Sequence, residues 1–182
     1  VGTIDAKDKY TNGHSIRVAQ YSKLISKALG DTEEEQKRVY YSALLHDIGK
    51  IGIPDTIINK PAALTAEEYD IVKTHPDIGS QILKSITSMK EISVGARWHH
   101  EHFDGSGYPD KLKGENIPKI ARIICVADAY DAMTSNRSYR NYMAQADVRK
   151  EFEENKGSQF DSQMAEVMIK IIDSDTDYLL HE

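Results

Sequence analysis

The stretch Pro118-Lys119-Ile120-Ala121-Arg122-Ile123-Ile124-Cys125-Val126-Ala127-Asp128-Ala129-Tyr130-Asp131 holds the most hydrophobic run of the chain, and it does not alternate as a half-buried strand would. Pro118 has the fixed φ that suits the start of a helix, so the spacing predicts a helix whose apolar bulk is Ile120, Ile123, Ile124, Val126 and Ala127. Outward from it, helical periods recur. Residues 12–29 place Val18, Tyr21, Ile25, Ala28 and Leu29 on one stripe, which His14 extends and Gly30 stops. A second helix opens at Asp31 or Thr32, carries Glu33, Glu34 and Glu35 in its electropositive first turn, and runs through Val39 and Ala43 to His46. Thr65 and Glu68 have capping-box spacing, which predicts a short helix to His75; Pro76 then interrupts, and another helix continues toward Leu83. The helical pattern from Met89 to His100 gives way to the turn-rich loop Asp104-Gly105-Ser106-Gly107-Tyr108-Pro109-Asp110. Helices near 144–156 and 162–173 close the chain, separated by Gly157, with Asp161 opening the second. The predicted fold class is all-α, a compact helical bundle.

At 182 residues, 40% hydrophobic and 29% charged, the chain suits one compact domain, and no repeat, low-complexity tract or Gly/Ser linker divides residues 1–182. No apolar stretch approaches the roughly 18 residues that span a bilayer, so no membrane insertion by this domain is expected. The single cysteine, Cys125, cannot form an internal disulfide, and the N-terminus lacks the basic and apolar regions of a secretory leader. A reducing, cytoplasmic setting is expected. The start at Val1 suggests a piece excised from a longer protein. The net charge of -6 argues against broad electrostatic capture of long nucleic acid, but is compatible with a small phosphorylated ligand held by a few local cations.

The chemistry is concentrated in histidines and buried acids. His46 and Asp47 close the apolar helix end Ser42-Ala43-Leu44-Leu45-His46-Asp47, and Asp128 sits inside the hydrophobic run described above. A carboxylate entering a core needs a cation or several donors to offset its desolvation. Taken singly, each residue has a plain structural reading. His46-Asp47 suits a hydrogen-bonded helix end, Asp128 a buried ion-pair partner, the adjacent His99 and His100 a solvated helix end, His75 before Pro76 a packed or capping residue, and His14 a satisfied core histidine. Together they offer imidazole and carboxylate ligands with no thiolate, a mix suited to iron, manganese or zinc. They also exceed what one ion needs. The excess points to two divalent ions about 3.5 to 4 Å apart, bridged by a carboxylate such as Asp47 and by a water-derived hydroxide, an arrangement suited to phosphate-ester hydrolysis.

In order, His14, His46-Asp47-Ile48-Gly49-Lys50, His75-Pro76, His99-His100-Glu101, Asp104-Gly105-Ser106-Gly107-Tyr108-Pro109 and Asp128 resemble the HD-GYP subgroup of the HD superfamily of metal-dependent phosphohydrolases. The resemblance runs from about Tyr10 to Asp161. It implies an all-helical domain of bacterial signalling proteins that hydrolyses cyclic di-GMP to pGpG and often on to GMP. By position it implies the metal ligands His14, His46, Asp47, His75, His99, His100 and Asp128, with Asp47 as the bridge. Asp47 and Lys50 would be catalytic, the Lys50 ammonium facing the scissile phosphate. Gly107 and Tyr108 would border the ligand, Asp131 would meet a guanine edge, and Arg137 and Arg140 would bind phosphate or base through forked hydrogen bonds. The structural alternatives are a solvated helix-terminal lysine for Lys50 and ordinary surface arginines for the other two. The resemblance also links the Tyr108 loop to contacts with diguanylate cyclase (GGDEF) domains.

Two positions depart from the family pattern. Tyr10 stands four residues before His14, where some members place a glutamate that supports a third ion, so a binuclear site is expected. Phe103 stands where tryptophan is frequent and preserves an aromatic wall. Two rival functions stay open on the sequence: hydrolysis of another cyclic dinucleotide or a nucleoside phosphate, and a non-catalytic module that senses cyclic di-GMP or docks a partner.

Overall fold

Gly13, in the left-handed region, precedes the first described helix, α1 (His14–Ala28), and Thr32 opens the next, α2 (Glu33–Leu44), through a capping box with Glu35. Those elements belong to a computed structural model that describes residues 13–135, 142–176 and 180. Tyr10, Arg137 and Arg140 lie outside the described residues. A 3-10 turn (Ile48–Gly52) follows α2, and then come α3 (Asp55–Ile58), α4 (Ala66–Val72), α5 (His75–Ser85), α6 (Ser93–Trp98), α7 (Lys119–Thr134), α8 (Gln145–Glu154) and α9 (Ser162–Ser174). Among the described residues there is no strand, only an isolated bridge between Lys156 and Phe160. The fold is all-α, as the hydrophobic periods predict, and no described helix is long and apolar enough to cross a membrane.

α1 packs against α2 and α7, and α8 and α9 cover the other side of α7. The core runs through Val18, Tyr21 and Ile25 of α1, Ile123, Ile124, Val126 and Tyr130 of α7, Phe152 of α8 and Met164 and Met168 of α9. Each such side chain contributes about 1.5–3 kcal/mol of transfer free energy, so this interface accounts for most of what holds α7 in place. Tyr21 and Tyr130 meet edge to face, with centroids 4.9 Å apart. Asp161 caps α9 by accepting from the Gln163 and Met164 amides at 2.8 and 3.2 Å. Ala28, expected on the inner stripe of α1, is exposed, while Leu29 beside it packs against the core.

Four boundaries differ from the sequence reading, each where the chain supplies the polar cluster described next. α2 ends at Leu44, so His46 and Asp47 sit in the turn beyond the helix instead of closing it. α4 stops at Val72, short of His75. Pro76 does not interrupt a helix; it begins α5, where its missing N–H costs nothing. The helix predicted from Met89 to His100 is reduced to the short α6, preceded by a 3-10 turn at Thr87–Met89, which leaves His99 and His100 just past a helix end.

Candidate metal centre

The last carbonyls of a helix have no partner inside it, and three histidines here use them. His46 Nδ1 lies 2.7 Å from the Ala43 carbonyl and His75 Nδ1 2.7 Å from that of Val72. His99 Nδ1 lies 2.9 and 3.1 Å from the carbonyls of Gly95 and Ala96. A carbonyl can only accept, so each Nδ1 carries the hydrogen and each Nε2 faces inward. Carbonyls at the ends of helices thereby orient imidazoles toward one point.

At that point stands Asp47, whose two oxygens face different neighbours. Oδ1 lies 3.3 Å from His75 Nε2 and 3.8 Å from His99 Nε2. Oδ2 lies 3.4 Å from His46 Nε2, 3.8 Å from His14 Nε2 and 2.6 Å from Lys50 Nζ. Asp128 Oδ1 approaches His14 Nε2 to 3.3 Å and His46 Nε2 to 4.0 Å. Potential ligand atoms of Asp47, His75, His99 and His100 fall within 4.8 Å of one another, as do those of His14, His46 and Asp47. All seven side chains singled out from the sequence are thus brought together, in two groups that share Asp47. Asp47 and four of its histidines are almost wholly buried, while Asp128 and Lys50 keep 23% and 19% of their side chains exposed, which marks the side from which solvent reaches the cluster.

The donor set fits divalent cations. His46 Nε2 is buried without a hydrogen-bond partner, an orphan that a cation would satisfy. Burial favours neutral His46, yet Asp47 and Asp128 outweigh it and raise the imidazole to about 9: the cluster draws in positive charge. Burial would raise Asp47, but Lys50 and His46 hold it well below the carboxylate range. Burial, His100 and the other imidazoles push His99 well below its ordinary value, and burial with His75 lowers His100 to about 3, so both keep free lone pairs. Cys125 adds no thiolate, since burial and then Asp128 push its thiol up to about 12.

The remaining expected residues divide. Tyr108 stacks on His100, centroids 4.7 Å apart, and its amide donates to the His100 carbonyl at 3.1 Å. Gly107 is buried, and a Cβ there would come 2.3 to 2.6 Å from backbone atoms of residues 100–102, so the close packing of the loop requires glycine. Asp131 corrects the guanine-edge expectation: it is 1% exposed and bonds to His14 and Arg17. Burial would raise its carboxyl, but those two bonds hold it below its ordinary value.

Glu101 received no separate role from the sequence, where it stands only as part of the His99-His100-Glu101 motif. It is buried and accepts from the Asp110 and Leu112 amides at 2.7 and 3.1 Å, tying down the loop that carries Tyr108. Arg97 and Trp98 hold the Asp110 carboxylate from the other side. Glu101→Ala should lower stability by about 2 kcal/mol, because two amides lose their acceptor. His102→Ala removes only an exposed contact to Ser106 and should change it by under about 0.5 kcal/mol. Equal denaturant midpoint shifts for the two variants would contradict the anchoring role.

The HD domain family profile matches residues 3–164. The chain belongs to the HD domain family. This HD domain is 39% identical over 179 residues to a cyclic di-GMP phosphodiesterase of Thermotoga maritima, covering 97% of the chain and 48% of that protein. It is 36% identical over 172 residues to a 3'3'-cGAMP-specific phosphodiesterase 2 of Vibrio cholerae, covering 92% of the chain and 32% of that protein. The chain therefore spans less than half the length of these relatives. Among solved structures, Bd1817, an HDG"Y"P protein from Bdellovibrio bacteriovorus, superposes with a TM-score of 0.73 at 22% identity, covering 92% of this chain and 54% of that one. The recognition drawn from the motif order stands for the HD domain family, and the solved HDG"Y"P protein shares the fold.

Proposed function

We propose that this HD domain is a metal-dependent phosphodiesterase that hydrolyses cyclic di-GMP to the linear products pGpG or GMP. The observation that carries the reading is Asp47, which turns one oxygen to each of two groups of inward-facing imidazoles. One divalent ion would be held by His14, His46, Asp47 and Asp128, and the other by Asp47, His75, His99 and His100. The thiolate-free donor set favours iron or manganese and also admits zinc. Ions bound there supply Lewis acidity toward a phosphoryl oxygen and a water acidic enough to attack phosphorus near neutral pH.

The protein's own groups do the rest. Lys50 holds a positive charge beside Asp47 at the exposed edge of the cluster, where it would meet the non-bridging phosphate oxygens and the charge that develops on them. Tyr108 covers one face of His100, excluding water from it and presenting an aromatic edge to an incoming base. Arg137 and Arg140 would serve phosphate or base recognition. Residues 1–182 would form the catalytic unit of a longer signalling protein of the bacterial cytoplasm, and the Tyr108 loop would also be the contact for a diguanylate cyclase domain.

The metal-loaded protein incubated separately with cyclic di-GMP, 3'3'-cGAMP and cyclic di-AMP should release linear products, with cyclic di-GMP consumed at least about 10-fold faster than the others. Preference for 3'3'-cGAMP would favour a second reading, one that the name of the Vibrio cholerae relative supports. Tight binding of a dinucleotide without cleavage would replace the enzyme by a sensing module. Elemental analysis of the same preparation should find two ions per chain, and three tightly held ions would overturn the binuclear assignment.

A further inference from the structure

His14 differs from the other oriented histidines. His46, His75 and His99 lean on carbonyls three or four residues earlier, at the end of a helical turn. His14 opens α1, and a helix N-terminus offers N–H groups, not carbonyls. Its back nitrogen needs an acceptor from elsewhere, and α7 provides one. Asp131 Oδ2 lies 2.7 Å from His14 Nδ1, while Asp128, one turn earlier on the same face of α7, lies 3.3 Å from Nε2. The imidazole is held between two aspartates of one helix.

Asp131 is itself held. Arg17, one turn after His14 on α1, donates from Nε to Asp131 Oδ1 at 2.6 Å and from Nη2 to Oδ2 at 3.2 Å. The same Nη2 reaches Ser135 Oγ at 3.2 Å. A carboxylate accepts only, and the 2.7 Å contact to Asp131 is shorter than the 3.3 Å contact to Asp128, so the hydrogen is assigned to His14 Nδ1 and Nε2 turns toward Asp47 and Asp128. Because this acceptor is charged, where the other histidines have neutral carbonyls, it also strengthens the imidazole as a donor to a cation.

We propose that Asp131, steadied by Arg17, is a positioning residue that fixes His14 toward the ion site and sets how tightly one of the two ions is held. The inference rests on the proposed two-ion reading and adds an asymmetry to it: the His14–His46 side depends on Asp131, and the His75–His99–His100 side does not.

Zinc serves as the probe, titrated into the full chain against a competing chelator and followed by elemental analysis. Wild type should retain two ions. Asp131→Ala should hold one of them about 10–100-fold more weakly, the range for loss of a partner behind a ligating histidine, with the other unchanged. Asp131→Asn keeps an acceptor but loses the charge, and should fall between. Retention of both ions at wild-type strength, or equal weakening of both, overturns the inference while leaving the two-ion reading intact. Fewer than two ions on wild type overturns both. A measurement on the unaltered protein covers the case where the variants fail to fold. Nitrogen-15 NMR of the zinc-loaded chain should show His14 protonated on Nδ1, and a proton on Nε2 would overturn the proposal.

Discussion

Asp47→Ala is expected to empty both ion positions and to lower phosphodiesterase turnover at least about 10³-fold, the scale at which preorganised electrostatic stabilisation is lost from an active site. Every other proposed ligand belongs to one group, whereas Asp47 faces His75 and His99 through Oδ1 and His14 and His46 through Oδ2. Its removal takes the carboxylate from one group of imidazoles entirely and leaves the other with only Asp128. It also leaves Lys50, paired with Asp47 at 2.6 Å, beside a cluster with one negative charge fewer. Asp47→Asn should behave differently in kind. The amide retains one oxygen acceptor but turns N–H donors toward lone pairs, so at most one ion should survive. Elemental analysis reads the ion content directly, and product chromatography reads turnover. Full activity with two ions in Asp47→Ala would remove the basis of the proposed function.

How much of this was legible beforehand follows from what kind of information each feature needs. The helices of the core were readable because Val18, Tyr21 and Ile25, or Ile123, Ile124 and Val126, repeat at a local period. The ligand set was readable for a related reason: Asp47 and Asp128 are charges in apolar surroundings, which is anomalous in one dimension as well as three. What could not be read were pairings between distant segments. Asp131 looked like a ligand-facing acid, because a separation of 117 positions from His14 conceals that they touch. Glu101 belonged to a motif but had no visible partner, because the loop that returns the Asp110 and Leu112 amides to it closes only in three dimensions. The ends of α2 and α4 were misjudged because propensity favours continuing a helix, whereas burying Asp47 among imidazoles requires the chain to leave it. Local pattern therefore named the chemical groups, and tertiary contact decided which ones face the reaction and which hold others in place.

The second large effect comes from a residue with no chemistry of its own. Gly49 lies in the 3-10 turn between Asp47 and Lys50, and this turn packs on the first turn of α5, which carries His75. A Cβ at Gly49 would fall 1.9 Å from the His75 carbonyl oxygen, 2.5 Å from the Gly79 nitrogen and 2.8 Å from the His75 carbonyl carbon. All three are backbone atoms, so no side chain can swing aside. Gly49→Ala can be accommodated only by moving the turn and α5 apart, at a cost of about 3 kcal/mol or more, the upper end of the range for overpacking. For a chain of this size that corresponds to a fall of about 6–12 °C in melting temperature. The displacement moves the turn that follows Asp47 relative to the helix that carries His75, so the ion on the His75 side should be lost before the one on the His14 side. Gly52→Ala supplies the contrast within the same turn. Its Cβ would approach only the Ile78 side chain, at 2.9 Å from Cδ1, and that side chain can rotate. It should cost under about 1.5 kcal/mol and leave both ions in place. Equal losses of stability and ion content in the two variants would show that the approach of the turn to α5 is not what sets the distance between Asp47 and His75.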